Sequence, residues 1–183
     1  LPMEVIGKHN YFTLAAYNGM LYCIGGLNMS DHTASTGVYM FDPEAKQWSQ
    51  KVSLPEGRFK SIAKQVGDKL VVTLGGNDSG SCPKNLIFDG MNWTEQTAVL
   101  KPMSSQILYL FNKEIIYYTA EIGSVKGGLI YANLPSDGAG MIYTYDLALD
   151  KYIATDYKLL DDISLSDILA TSVGDELFAL YTI

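Results

Sequence analysis

The chain has 183 residues, 48% of them hydrophobic and 13 of them Tyr, which is enough for one domain with a sizeable core. Its formal net charge is −7 and its pI about 4.7, so its surface repels phosphate backbones and anionic bilayers. Neither nucleic acid nor a membrane is an expected partner, and no apolar run reaches the ~20 residues of a helical span.

From the N-terminus, an apolar strand leads into the turn Asn18-Gly19, and a second strand, Leu21–Ile24, ends in Gly25-Gly26. Asn and Gly accept the positive φ that two-residue hairpins between twisted strands require. Cys23 lies inside this apolar strand, where a buried thiol is expected. A loop (26–37) follows, then a third strand, Val38–Phe41, closed by Asp42-Pro43, and a fourth strand carrying Trp48. The pattern then returns. Gly67-Asp68 is the second turn, Leu70–Leu74 the second strand, Gly75-Gly76 its end, and 76–85 the loop. Asn85–Phe88 is the third strand, Asp89 the turn residue and Trp93 the aromatic of the fourth strand. The Gly pairs are 50 residues apart and the Trp 45 apart. Cys82, beside Pro83, is expected to be exposed, and no disulfide with Cys23 is expected.

A third unit is weaker. Asn112-Lys113 marks its turn, Ile115–Thr119 its second strand, 121–141 a long loop, and Met141–Tyr145 its third strand. Asp146 and Tyr152 take the places of the turn Asp and the Trp. A fourth unit has the turn Gly174-Asp175 and the strand Leu177–Tyr181. The second strands are nearly continuous apolar runs, as in sheets covered on both faces. In each unit Asp42, Asp89 or Asp146 is placed to accept backbone N–H groups of its own turn. The Gly pairs suit close packing, and Trp48, Trp93 and Tyr152 suit packing between sheets.

A repeat of strands and turns with a period near 45–50 residues predicts an all-β propeller of four-stranded antiparallel blades. The order of hairpin, Gly-Gly, variable loop, aromatic-Asp-Pro turn and Trp resembles the kelch repeat. The resemblance covers nearly the whole chain: strong in 9–57, good in 58–101, degenerate in 102–160, and cut short in 161–183. Gly90 replaces the Pro in the second unit, and Thr119-Ala120 replaces Gly-Gly in the third. Residues 1–183 are read as one such domain. Three and a half blades do not close a ring. The chain is therefore expected to be a piece of a longer propeller, a half-ring completed by a second copy, or an open array. Leu1-Pro2 resembles Leu54-Pro55 and favours a preceding blade. Open edges predict self-association.

The resemblance implies a face on which the loops 26–37, 76–85 and 121–141 gather with the connections 53–59, 97–105 and 160–166. Arg58 begins the inner strand of the second unit, where many kelch-like domains hold an Arg that binds acidic partner groups. An internal salt bridge is the competing reading, and His9, Met103 and Leu165 at the same place in the other units break any ring of Arg. His9 and His32 could reach the same face. In the loop 121–141, Lys126, Tyr131, Asn133 and Asp137 are candidate contacts, since long loops carry binding residues. No metal or cofactor is expected, because the two His and two Cys form no ligand motif. No HExxH, phosphate loop or GxSxG occurs. The sequons at Asn28, Asn77 and Asn92 give a slight lean to a secreted or cell-surface setting.

These features favour a non-catalytic module that binds a protein or peptide through its loop face. The alternative is a carbohydrate-related propeller, either a binder or an enzyme such as a sugar oxidase or sialic-acid mutarotase, with Tyr131 as the stacking aromatic. A third reading is a structural spacer.

Overall fold

The computed structural model describes residues 9–82, 84–97, 106–110, 113–117, 120–125, 128–133, 141–158, 168–173 and 176–181. These residues form strands and turns without helix. They fall into two compact units, Leu1–Thr97 with Leu108–Ile115, and Ala98–Ile107 with Ile116–Ile183.

In the first unit, β1 (His9–Asn10) precedes β2 (Thr13–Tyr17) and β3 (Met20–Ile24). β4 (Leu27–Asn28), β5 (Val38–Asp42) and β6 (Gln47–Gln50) follow. Strands β2-β3-β5-β6 make the first four-stranded antiparallel sheet, and β1 pairs with β4 beside it. The turn between β2 and β3 holds Asn18 at φ 48° and Gly19 at φ 77°, as its sequence predicts. The second sheet repeats the order. β7 (Ile62–Val66) and β8 (Lys69–Thr73) are followed by a small ladder of β9 (Gly76–Asn77) and β10 (Gly80–Ser81). β11 (Leu86–Phe88) and β12 (Trp93–Glu95) then complete the sheet β7-β8-β11-β12.

The two sheets stack face to face. Alternation along β2 buries Thr13, Ala15 and Tyr17 and leaves Leu14 and Ala16 exposed. The buried set, with Tyr22, Ile24 and Val38, meets Ala63, Leu70, Val72, Leu86 and Phe88 of the second sheet. Each large side chain so enclosed contributes about 1.5–3 kcal/mol. The ring of Phe88 lies 6.0 Å from both Tyr17 and Tyr22. The Tyr17 hydroxyl donates to Asp68 O at 2.9 Å, which satisfies the one polar atom of that side chain. Asn18 N donates to Gln65 Oε1 at 2.9 Å, tying the two hairpin turns together.

The aromatic-Asp turns do what their sequence implies. Asp42 Oδ1 accepts from Glu44 N and Ala45 N at 2.8 and 3.0 Å. Asp89 Oδ1 accepts from Met91 N and Asn92 N at 2.8 and 2.7 Å. Asp146 Oδ1 accepts from Ala148 N and Leu149 N at 2.9 and 3.0 Å. The backbone donors of Asn92 and Met91 hold the Asp89 carboxyl below its ordinary range. In each turn the aromatic stacks on its partner across the strands: Phe41 on Trp48 at 5.2 Å, Phe88 on Trp93 and Tyr145 on Tyr152, both at 4.8 Å.

β13 (Gln106–Leu110) and β14 (Lys113–Tyr117) pair as a two-stranded sheet. The second unit holds a third four-stranded sheet, made of β15 (Ala120–Val125), β16 (Gly128–Asn133), β17 (Met141–Asp146) and β18 (Lys151–Lys158) in sequence order. Most of the stretch expected as the loop 121–141 is therefore a strand pair, Ala120↔Ala132 through Val125↔Gly128. The physical reason lies in the residues: Ile122, Val125, Leu129, Ile130 and Tyr131 are strand formers, and only two residues separate the strands. The missing Gly-Gly drew the expected boundary one hairpin too early. β19 (Ile168–Val173) and β20 (Glu176–Tyr181) close the described chain as a hairpin.

Glycine is required where backbones nearly touch. A Cβ on Gly25, which sits at φ 66°, would lie 2.1 Å from Arg58 O. Gly19 also has positive φ but has open space around it. Gly25→Ala is expected to lower unfolding free energy by roughly 2–4 kcal/mol, against about 1 kcal/mol for Gly19→Ala. Urea unfolding of both variants checks this, and equal costs would show that the close approach is not the constraint.

Candidate functional site

The best-defined concentration of polar groups lies where the ends of the first two sheets meet the connection between them. Gly26 N donates to Arg58 O at 2.8 Å, Arg58 N to Ser35 O at 3.0 Å, and Ser35 N to Gly26 O at 2.8 Å. On the other side Phe59 and Gly76 exchange two backbone bonds, each 2.9 Å. The segment Arg58-Phe59 is thus held between the two Gly pairs, and both of its side chains are fully enclosed.

Above this seam the two loops carry short polar turns. Asn28 Oδ1 accepts from Ser30 N at 2.9 Å and Asn77 Oδ1 from Ser79 N at 2.8 Å, so two of the three sequon Asn residues are engaged in side-chain turns. Asp31 Oδ1 accepts from Thr33 N at 3.0 Å and from the Thr33 hydroxyl at 2.7 Å, and these bonds lower its carboxyl pKa. Asp78 Oδ1 accepts from Ala34 N at 3.1 Å, tying the loop of the second sheet to that of the first. Asn77 Nδ2 donates to Glu56 Oε2 at 3.3 Å. Asp31, Asp78 and Ser79 are exposed, and Glu56 and Asn77 are half-buried. The result is a surface of interlinked turns rich in carboxylate and amide oxygens.

Arg58 takes the internal role. Its guanidinium is 0% exposed, pairs through Nη2 with Glu56 Oε1, and donates from Nη1 to Lys84 O at 2.9 Å. A guanidinium enclosed in this way is unavailable to a partner at the surface, so the expected contact with acidic groups is replaced by a structural ion pair. Cys82 also departs from expectation. It is 3% exposed, because its N–H bonds Gly75 O at 3.0 Å and carries the residue inward beside Arg58 and Glu56. Burial pushes the Cys82 thiol up to about 12, with Glu56 adding to the rise and Arg58 opposing it. Burial likewise pushes Cys23 up to about 11.

His9 starts β1 opposite Asn28, and His32 lies in the loop at φ 58°, its N–H donating to Asn28 O at 2.8 Å. Tyr131 and Asn133 stand on β16, opposite Tyr143 and Met141, in a strand rather than a loop. Lys126 and Asp137 lie outside the described residues. Among the described residues no three His, Cys, Asp or Glu side chains are grouped to hold a metal ion. Sequence reasoning missed Asp31, Asp78 and Glu56. The signal for Asp31 and Asp78 was the loop motifs Asp31-His32-Thr33 and Asn77-Asp78-Ser79, which favour self-capped turns at the surface; no such motif marks Glu56.

A family model for the kelch motif matches residues 9–55. A comparison with curated proteins finds no match.

Two outcomes follow from this geometry. Arg58→Ala is expected to cost roughly 2–4 kcal/mol in urea unfolding, since it empties a fully enclosed site and leaves the half-buried Glu56 carboxylate and the Lys84 carbonyl without their donor; a cost under about 1 kcal/mol would remove the structural role. Both thiols should resist iodoacetamide at pH 8 in the folded chain and react on unfolding. Each thiol has an ordinary value near 9 that folding raises, so its contribution to stability is intact below about 9 and declines as pH rises toward 11–12. Rapid native labelling at pH 8 would contradict the burial.

Proposed function

We propose, from the kelch motif matched at residues 9–55 and the loop geometry beside it, that the chain is a non-catalytic module that binds a protein or peptide through the loop face of its first two sheets. The observation that carries this reading is the preorganised seam. The loops 26–37 and 76–82 are tied to each other through Ala34 N–Asp78 and to the connection 54–60 through Ser35, Arg58, Glu56 and Asn77. Loops fixed before contact lose little entropy on binding, which is the condition for a recognition surface rather than a mobile connector.

Chemistry narrows the kind of partner. Asp31, Asp78 and Glu56 supply negative charge, and the net charge of −7 extends the same sign over the chain. A segment that offers Lys, Arg or free backbone N–H groups complements that surface. The carbohydrate alternative rests on abundant Tyr and polar loops, with Tyr131 as its best stacking aromatic, and Tyr131 stands on β16.

Selection of displayed peptides on the purified chain, followed by hydrogen-exchange mapping, tests the reading. Selected peptides should be enriched in basic residues and protect 26–37 and 76–82. Asp78→Ala should weaken them about tenfold, through both the lost charge and the loosened loop pair. Protection confined to the outer turns at 43–46 or 89–92 would refute it.

A further inference from the structure

The hairpin turn Asn18-Gly19 lies at the far end of β3 from Gly25, away from the loop face. It is the chain's single Asn-Gly step. At such a step an Asn side chain reacts most readily with its own backbone, because glycine has no Cβ to hinder the approach to its peptide nitrogen. Both residues are exposed, with φ at 48° and 77°. The turn is nonetheless clasped from the second sheet. Gln65 Oε1 accepts from Asn18 N at 2.9 Å, and Gln65 Nε2 donates to Asn18 Oδ1 at 3.2 Å. The same Nε2 donates to Gly67 O at 2.8 Å, which fixes the clasp to the second hairpin turn. The preceding residue, Tyr17, is buried, and its hydroxyl bond to Asp68 O pins the strand that enters the turn.

We propose that Asn18 is the chain's site of spontaneous deamidation, and that Gln65 sets its rate by holding the turn closed. In the reaction Gly19 N loses its proton to base and attacks Asn18 Cγ. A C–N bond forms, the Cγ–Nδ2 bond breaks, and Nδ2 leaves as ammonia with a proton taken from water. One water molecule then opens the succinimide at either carbonyl, giving Asp or isoAsp, and nothing is oxidised or reduced. Ring closure turns the Asn18 side chain and its ψ away from the left-handed geometry of the hairpin. Gln65 opposes both movements: one bond holds the main chain at Asn18 N and the other holds the amide at Oδ1. The isoAsp product adds a methylene to the main chain of a two-residue turn, which breaks the turn geometry and with it the tie to Gln65. Deamidation therefore unfastens the first hairpin turn from the second. This chemistry is independent of the peptide-binding reading.

Incubation of the full chain at mildly alkaline pH, with peptide masses and isoaspartate content followed in time, tests it. Asn18 is expected to convert before any other Asn, and several-fold more slowly in the folded chain than in the same chain in guanidinium. Gly19→Ala should suppress the reaction in guanidinium, which fixes the site. Gln65→Ala should speed the folded-state reaction several-fold and leave the rate in guanidinium unchanged. Asp42→Ala removes a turn cap from the same sheet without touching the clasp, and should leave the folded-state rate at Asn18 unchanged. That contrast separates the clasp from a general loss of stability. If Gln65→Ala does not fold, Gln65→Glu, which keeps the acceptor for Asn18 N and loses the Nε2 donor, takes its place. Equal rates in the folded and unfolded chain, a Gln65 variant no faster than wild type or matched by Asp42→Ala, or another Asn converting first would overturn the proposal.

Discussion

The contact on which the first unit depends is between backbones. Arg58 and Phe59 lie between Gly25-Gly26 and Gly75-Gly76, bonded to one pair through Arg58 O and to the other through both peptide groups of Phe59. No side chain fits in either gap, since a Cβ on Gly25 or Gly75 would sit 2.1 Å from Arg58 O or 2.6 Å from Phe59 O. The glycines accept their conformational cost because the alternative is a connection that cannot reach the sheets. Once it reaches them, the spacing of the sheets is set, and Tyr17, Tyr22 and Phe88 close over the core between them.

That seam also separates two kinds of energy. Apolar burial holds the sheets together through their faces, while hydrogen bonds at the sheet ends hold the loops in place. A fully enclosed guanidinium is retained because Glu56 and Lys84 O satisfy much of it, and because its main chain is needed in the seam. The side chain then anchors Glu56, which in turn receives Asn77. Recognition at the surface would draw on this chain of fixed groups, so binding and stability share residues there.

Much of the fold was legible because each unit states it several times over. Hairpin turns, Gly pairs, aromatic-Asp turns and Trp fall at matching places, and the structure gives the Asp carboxylates and stacked rings the roles their spacing suggests. The errors share one cause: tertiary contacts are invisible in a local pattern. Cys82 reads as exposed beside Pro83, yet its N–H bond to Gly75 O turns it inward. Arg58 is not among these errors: the sequence favours an internal ion pair over a partner contact, and Glu56 supplies that pair. In the third sheet the absence of Gly-Gly removed the marker that locates the hairpin, so β15 and β16 were legible as strand-forming residues but not as the start of the sheet. Of the candidate site, the loops were read as 26–37 and 76–85, and the carboxylates they carry were not singled out.

The central claim is that the loop face is fixed by the seam and is as rigid as the sheets beneath it. Native-state hydrogen exchange of the amides of Gly26, Ser35, Arg58 and Gly76 tests this most directly. The account predicts that they exchange only through global unfolding, with the same opening free energy as strand amides such as Tyr22 and Val71. Exchange through low-energy local opening, at rates near those of the exposed turn amide of Ser30, would contradict it and leave the loops as mobile connectors.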